Sequence, residues 1–297
     1  GMRLHRAEVR WPWWAFSAAA VLWTVSAIVE EVVGPHSALG SDRSLLPDVF
    51  ALPAYLCVGV ALRGLIRARA TSREHTALLD GWILGAAFGL VVWQAVIDPT
   101  LQIAGASLPA QLIVIVYPVL SVMLLISAAR LAFAPGEQSP AFVFVLAGVF
   151  FLHLGDLVYA LGVIGRIDSR LPLAELPYLM APAFYSAGAL HPTMSGVTTS
   201  APRSWVRVSL FRALAVSSAL AAPLGVLAVG IESRSDAITV LLCAVVVAAG
   251  IVRTIHAMRH HAIAAEHMYY RATHDDLTGL PGRALLEQLL GQWRQQS

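Results

Sequence analysis

The sequence has no lysine: all 20 of its basic residues are arginine. It is poor in charge of either sign, with 13% Asp, Glu, Lys and Arg, where an ordinary soluble domain carries about 25%. So few charges cannot cover a soluble surface, so lipid is the expected solvent for most of the chain. The formal charge of +2 comes from arginines spread over many short loops. With no basic face, no nucleic-acid partner is expected. Cysteine is scarce too. Cys57 and Cys243 both lie in apolar stretches, so no disulfide framework is implied and two buried small hydrophobes are expected. A retained first helix is expected rather than a cleavable secretory signal. Arg3, Arg6 and Arg10 precede an apolar run, but it is too long and ends in Glu30-Glu31-Val32-Val33 rather than at a small-residue cleavage site.

What the chain has in abundance is apolar length, at 58% hydrophobic residues. A helix needs roughly 20 apolar residues to cross the hydrocarbon. Eight segments meet that need: Trp13–Val33, Asp48–Ile66, Ala77–Ile97, Pro109–Phe133, Ala141–Ile164, Leu173–Leu190, Val206–Val229 and Ala237–Ala257. Turn signals such as Gly34-Pro35, Asp98-Pro99, Pro135-Gly136 and Ala201-Pro202 separate them. The expected fold class is all-α, a polytopic bundle of eight transmembrane helices. Leu173–Leu190, with Pro177 and Pro182, is expected to be short and kinked.

The arginines orient the bundle. One side carries Arg3, Arg6, Arg10, Arg63, Arg67, Arg69, Arg73, Arg130, Arg203, Arg207 and Arg212; the other only Arg43, Arg166, Arg170 and Arg234. Positive residues mark the cytoplasmic side, so both termini are expected there. Gly81, Gly85 and Gly89 recur every fourth residue in the third segment, which points to close helix packing inside the bundle.

Ionisable groups within the membrane are costly and therefore candidates for function. His153, Asp156 and Tyr159 are three residues apart in the fifth segment and share a helix face. Glu30, Glu31, Gln94, Asp98, Gln111, Tyr117 and Tyr178 reach similar depth toward the outer side. Together they fit either a ligand cavity or a hydrogen-bonded packing device. His153 and Asp156 are only two possible metal ligands, too few for a metal site. Asp80 and His191 lie near the inner boundary, and His191 before Pro192 reads as a helix end.

Beyond the last segment, apolar residues continue at heptad spacing: Ala248, Ile251, Ile255, Met258, Ala262, Ala265, Tyr269 and Ala272. The flanks turn polar, with Arg259, His260, His261, Glu266 and Arg271. This predicts a helix leaving the bilayer with one weakly apolar seam. His274-Asp275-Asp276-Leu277-Thr278-Gly279-Leu280-Pro281-Gly282-Arg283 follows. This string resembles the opening D-x-L-T-G-L-P-N-R motif of GGDEF domains, the catalytic domains of diguanylate cyclases; Gly282 stands where the family usually has Asn. More loosely, His153-Leu154-Gly155-Asp156 and Leu190-His191-Pro192 resemble membrane regions of actinobacterial GGDEF and GGDEF–EAL proteins.

The resemblance implies a domain plan: 1–257 a transmembrane sensor, 258–273 a signalling-helix linker, 274–297 the first part of a GGDEF domain. It implies that Asp275 pairs with Arg283, with Leu277, Thr278, Gly279, Leu280 and Pro281 completing the domain's entrance. It also implies a parallel homodimer in a bacterial inner membrane. The family's catalytic signature, Mg²⁺-binding acids and guanine-binding residues fall beyond Ser297, so neither enzymatic activity nor a cofactor is expected of this chain; GTP and Mg²⁺ belong to what would follow. The leading expectation is a sensor and transducer for an unidentified small molecule, lipid or ion. A transporter or channel, and a ligand-free anchor for dimerisation, are the alternatives.

Overall fold

A computed structural model describes residues 9–34, 38–40, 42–69, 75–133, 138–167, 174–198, 210–228, 236–274, 280 and 282. Among these residues there is no strand. The helices are α1 (Trp11–Val33), α2 (Asp48–Arg69), α3 (His75–Val92), α4 (Asp98–Leu101), α5 (Leu108–Phe133), α6 (Pro140–Val163), α7 (Leu176–Leu190), α8 (Leu210–Ala228) and α9 (Asp236–Thr273). Six described stretches are long and apolar enough to cross a membrane: Trp11–Val33, Asp48–Arg69, Leu78–Leu101, Leu108–Phe133, Pro140–Val163 and Ala237–Arg259. Helices of this kind belong to a multi-pass membrane protein. The other two expected segments give α7, whose 15 residues fall short of that length, and α8, whose apolar part among the described residues is Ala215–Gly225.

The chain divides into two compact units, Gly1–Ala249 and Gly250–Ser297. In the first, α1, α2, α5, α6 and α7 share a core that runs from Trp13 and Phe16 through Tyr55, Val58 and Leu62 to Leu124, Val149, Leu152 and Tyr185. A second cluster joins Val92 and Val96 to Val114, Val122 and Ala160. Large apolar side chains also face outward, among them Val21, Val32, Leu56, Met123, Leu179 and Leu224. Lipid would cover such a surface without the penalty water imposes.

Asp98-Pro99, expected as a turn, instead continues a helix. A π-helical turn over Trp93–Ile97 leads directly into α4, and the Asp98 N–H reaches back to the Trp93 carbonyl. The wider turn relieves the clash that a proline ring makes with the carbonyl four residues earlier. The glycine stripe of α3 packs within the bundle. An added Cβ at Gly81 would lie 2.7 Å from Arg130 Cγ, and one at Gly85 would lie 2.1 Å from Ile126 Cγ1, whereas Gly89 meets nothing within 4 Å.

Arg69, grouped in the sequence with the solvated loop arginines, is fully buried. Its Nε donates to the Val197 carbonyl at 2.7 Å, and its guanidinium lies 4.1 Å from the centroid of the Phe142 ring. His191 ends α7, with its N–H on the Ala187 carbonyl. Cys57 and Cys243 are free and half-buried.

The second unit contains the later part of α9. The seam residues Ile251, Ile255, Met258, Ala262 and Ala265 are exposed. Val252, Ile263, Met268 and Tyr270 are exposed as well, so apolar exposure is wider than one stripe. The side chains of Tyr269 and Ala272 lie outside the described residues, as do Asp275, Leu277, Thr278, Gly279, Pro281 and Arg283 of the entrance string. Leu280 is exposed. Gly282 donates its N–H to the Thr273 carbonyl at 2.6 Å. A Cβ at Gly282 would meet that same oxygen at 3.2 Å.

Candidate functional site

Two linked groups of polar residues inside the first unit make up the candidate site. The deeper one centres on Asp156 of α6, which is fully buried. It lies seven residues before Val163, or roughly 10 Å along the helix axis. Its Oδ1 accepts two phenol hydroxyls, from Tyr55 of α2 at 2.5 Å and from Tyr178 of α7 at 3.0 Å. Its Oδ2 has no hydrogen-bond partner. Ser121 of α5 is close enough to interact with the carboxylate. Ser121 gives its proton to the Pro118 carbonyl at 3.1 Å and also contacts His153 Nδ1 at 2.9 Å. The imidazole tautomer sets which of the two donates in the Ser121–His153 bond. Phe88 meets the His153 ring edge-on, with centroids 5.5 Å apart.

Aromatic rings enclose the group. Trp23 meets Tyr55 edge-on at 5.7 Å and stacks on Tyr185 at 6.5 Å; Phe16 stacks on Tyr185 at 4.8 Å, and Tyr55 packs on Tyr117 at 5.4 Å. The Tyr185 hydroxyl is buried with no hydrogen-bond partner. Two glycines of α6 bring these rings against its backbone. A Cβ at Gly155 would lie 2.8 Å from the Tyr178 ring, and one at Gly148 would lie 2.4 Å from the Tyr185 ring. Gly155→Val is therefore expected to lower the stability of the bundle by about 1–3 kcal/mol through overpacking. The check is a thermal melt of the purified protein beside Gly89→Val, whose position is open and which should cost less.

The shallower group closes the end of the bundle where α2 and α5 begin. Arg43, in the connection between α1 and α2, pairs with Asp48 at 3.3 Å; the two side chains are 7% and 8% exposed. Its Nη1 donates to the Tyr159 hydroxyl at 3.1 Å and to the Ala38 carbonyl at 2.9 Å. Tyr117 donates to Asp48 at 2.6 Å. Burial works against the charge of Arg43, and Tyr159 and Asp48 outweigh it, so its pKa is raised. The connection itself is tied down: Ser107 bonds the Leu39 and Gly40 carbonyls through its N–H and hydroxyl, and Ser26 bonds the Pro47 carbonyl.

The expected residues thus separate. His153 and Asp156 enter the deep group with Tyr178, while Tyr159 and Tyr117 join Arg43 and Asp48. Gln94 donates to Thr239 of α9, and Asp98 accepts from Gln102 at 2.9 Å, one turn along its own segment. Gln111 donates to the Thr100 carbonyl at 3.1 Å. Glu30 and Glu31 are exposed at the end of α1. Among the described residues no three His, Cys, Asp or Glu side chains gather as a metal site.

Tyr55, Asp48, Arg43, Ser121 and Tyr185 were not anticipated. A signal for them existed in spacing: Asp48 and Tyr55, and again Tyr178 and Tyr185, are seven apart, while Tyr117 and Ser121 are four apart. Each pair shares a face of its helix. Comparison with models of protein families, with curated proteins and with solved structures finds no match. The GGDEF resemblance accordingly rests on sequence strings alone.

Proposed function

We propose that this chain is the sensing and transducing region of a larger membrane protein. It would cross the membrane eight times, with both termini in the cytoplasm, and control a cyclic di-GMP-metabolising domain that follows it. The observation that carries the sensing role is the Asp156 group: a fully buried carboxylate within the apolar bundle, held by phenols from α2 and α7 and leaving one oxygen without a partner. A carboxylate costs several kcal/mol to bury unless it is neutralised, and a packing device alone has no need of it. Three helices meet at this group, so a ligand that favours one arrangement of the carboxylate and phenols shifts how those helices pack.

The arginine asymmetry supports the topology, and the entrance string supports the output. α9 supports transmission, since it runs as one helix from Asp236 to Thr273. Copies of the chain would pair in parallel through Ile251, Ile255, Met258, Ala262, Ala265, Tyr269 and Ala272 about a two-fold axis, because joining two GTP molecules requires two facing domains.

The test is made in the full-length protein in cells, by measuring cyclic di-GMP against the amount of protein in the membrane. Asp156→Asn and Tyr178→Phe are expected to change cyclic di-GMP several-fold while the membrane level stays within a factor of two of the parent. Parallel loss of both quantities, or no change in either, would leave the group a packing feature. The topology has its own check. A reporter active only after export, fused after Arg283, should remain silent.

A further inference from the structure

We propose that Oδ2 of Asp156 is the binding site of a small monovalent cation, a proton or a sodium ion, and that this cation is what the bundle senses. The inference rests on the sensing role proposed above and names the ligand class. It begins from charge. Asp156 is fully buried, and its hydrogen bonds come from neutral phenols, Tyr55 and Tyr178. The guanidinium of Arg43 is committed to Asp48 and Tyr159. An ionised carboxylate in an apolar interior is costly when uncompensated, so the site favours one accompanying positive charge. The oxygen without a partner is where that charge would sit.

Size and valence narrow the choice. The rings of Tyr178 and Tyr185 pack so closely on α6 that even a methyl group at Gly155 or Gly148 would overlap them. A divalent ion would call for several oxygen ligands with more than one negative charge, and no three His, Cys, Asp or Glu side chains gather among the described residues. The Tyr185 hydroxyl, buried among the same rings, lacks a partner as well.

Other titratable groups face the site from each helix packed on it. They are Tyr55 from α2, Tyr117 from α5, His153 from α6 itself, and Tyr178 and Tyr185 from α7; α1 presents the rings of Phe16 and Trp23. His153, whose Nδ1 meets Ser121, is the alternative carrier of charge. Arrival of the cation leaves a neutral group, and its departure leaves a charge that draws the phenols of α2 and α7 inward. The helices therefore pack differently in the two states.

The experiment is a set of thermal melts on the purified chain in detergent, across about pH 5 to pH 9, with sodium or choline as the only added salt cation. If the ligand is the proton, wild-type melting temperature falls as pH rises, because unfolding then releases a proton, and sodium has no effect. If it is sodium, melting temperature rises with sodium and not with choline, by roughly 5–10 °C at a hundredfold excess over Kd. In both cases Asp156→Asn removes that dependence and His153→Gln keeps it. Equal dependence in wild type and Asp156→Asn, its loss in His153→Gln, or a flat wild-type response to both variables would overturn the proposal.

Should Asp156→Asn fail to fold, infrared spectra of the wild type decide. A carboxylic-acid C=O band that vanishes at high pH marks the proton, and sodium-dependent carboxylate bands mark sodium. Spectra unchanged by both would overturn the site. Cation dependence without any effect of Asp156→Asn on cyclic di-GMP would instead overturn the sensing role and keep the site.

Discussion

Replacing Arg43 by Met is expected to destabilise the bundle by about 3–5 kcal/mol, the penalty for removing one partner of a buried ion pair. Asp48 would stay inside with only the Tyr117 hydroxyl to hold it. Tyr159 and the Ala38 carbonyl would lose a charged donor in the same step. The loss should be recoverable in part. Arg43→Met with Asp48→Asn leaves two neutral groups, so the double variant should melt above the sum of the single effects. Chemical unfolding in detergent, run as a double-mutant cycle, measures this coupling. Additive effects would mean that Arg43 and Asp48 do not act as a pair.

Arg69→Met is the second large effect, at about 1.5–3 kcal/mol for a hydrogen bond made by a charged group. The Val197 carbonyl would lose its 2.7 Å donor, and the Phe142 ring would lose the cation above it. Arg69→Lys should not restore stability, because an ammonium lacks the planar group that donates along one edge while lying over a ring. The same unfolding measurement reads both variants. A lysine variant as stable as the parent would show that charge alone suffices there.

These two arginines also mark what the sequence could reveal. The apolar runs were legible because their length relates directly to the bilayer: α1, α2, α5 and α6 end within a few residues of the expected limits. The face carrying His153 and Asp156 was legible from a spacing of three. Partners were not, because helical period fixes which residues share a face and says nothing about how neighbouring helices rotate to meet it. Asp156 thus finds Tyr55 rather than Glu30 or Glu31. Arg43 and Arg69 were read as loop charges. Counting charges per side orients a bundle but cannot tell a solvated arginine from one turned inward to a carboxylate or carbonyl. The π turn at Trp93–Ile97 was hidden for a related reason. Asp98-Pro99 is a common turn signal, and only the wider turn before it allows the helix to continue.

The central claim is that the state of the Asp156 group reaches the far end of α9. The most direct measurement is disulfide crosslinking in native membranes, with Ile255→Cys, Ala262→Cys or Tyr269→Cys placed in the parent and in the Asp156→Asn background. Cys57 and Cys243 are changed to Ser throughout. Crosslinks between copies are expected at these three positions and not at Arg259→Cys or Glu266→Cys, with rates that change several-fold when Asp156 becomes Asn. Identical rates in the two backgrounds, or uniform crosslinking at all five positions, would contradict the claim.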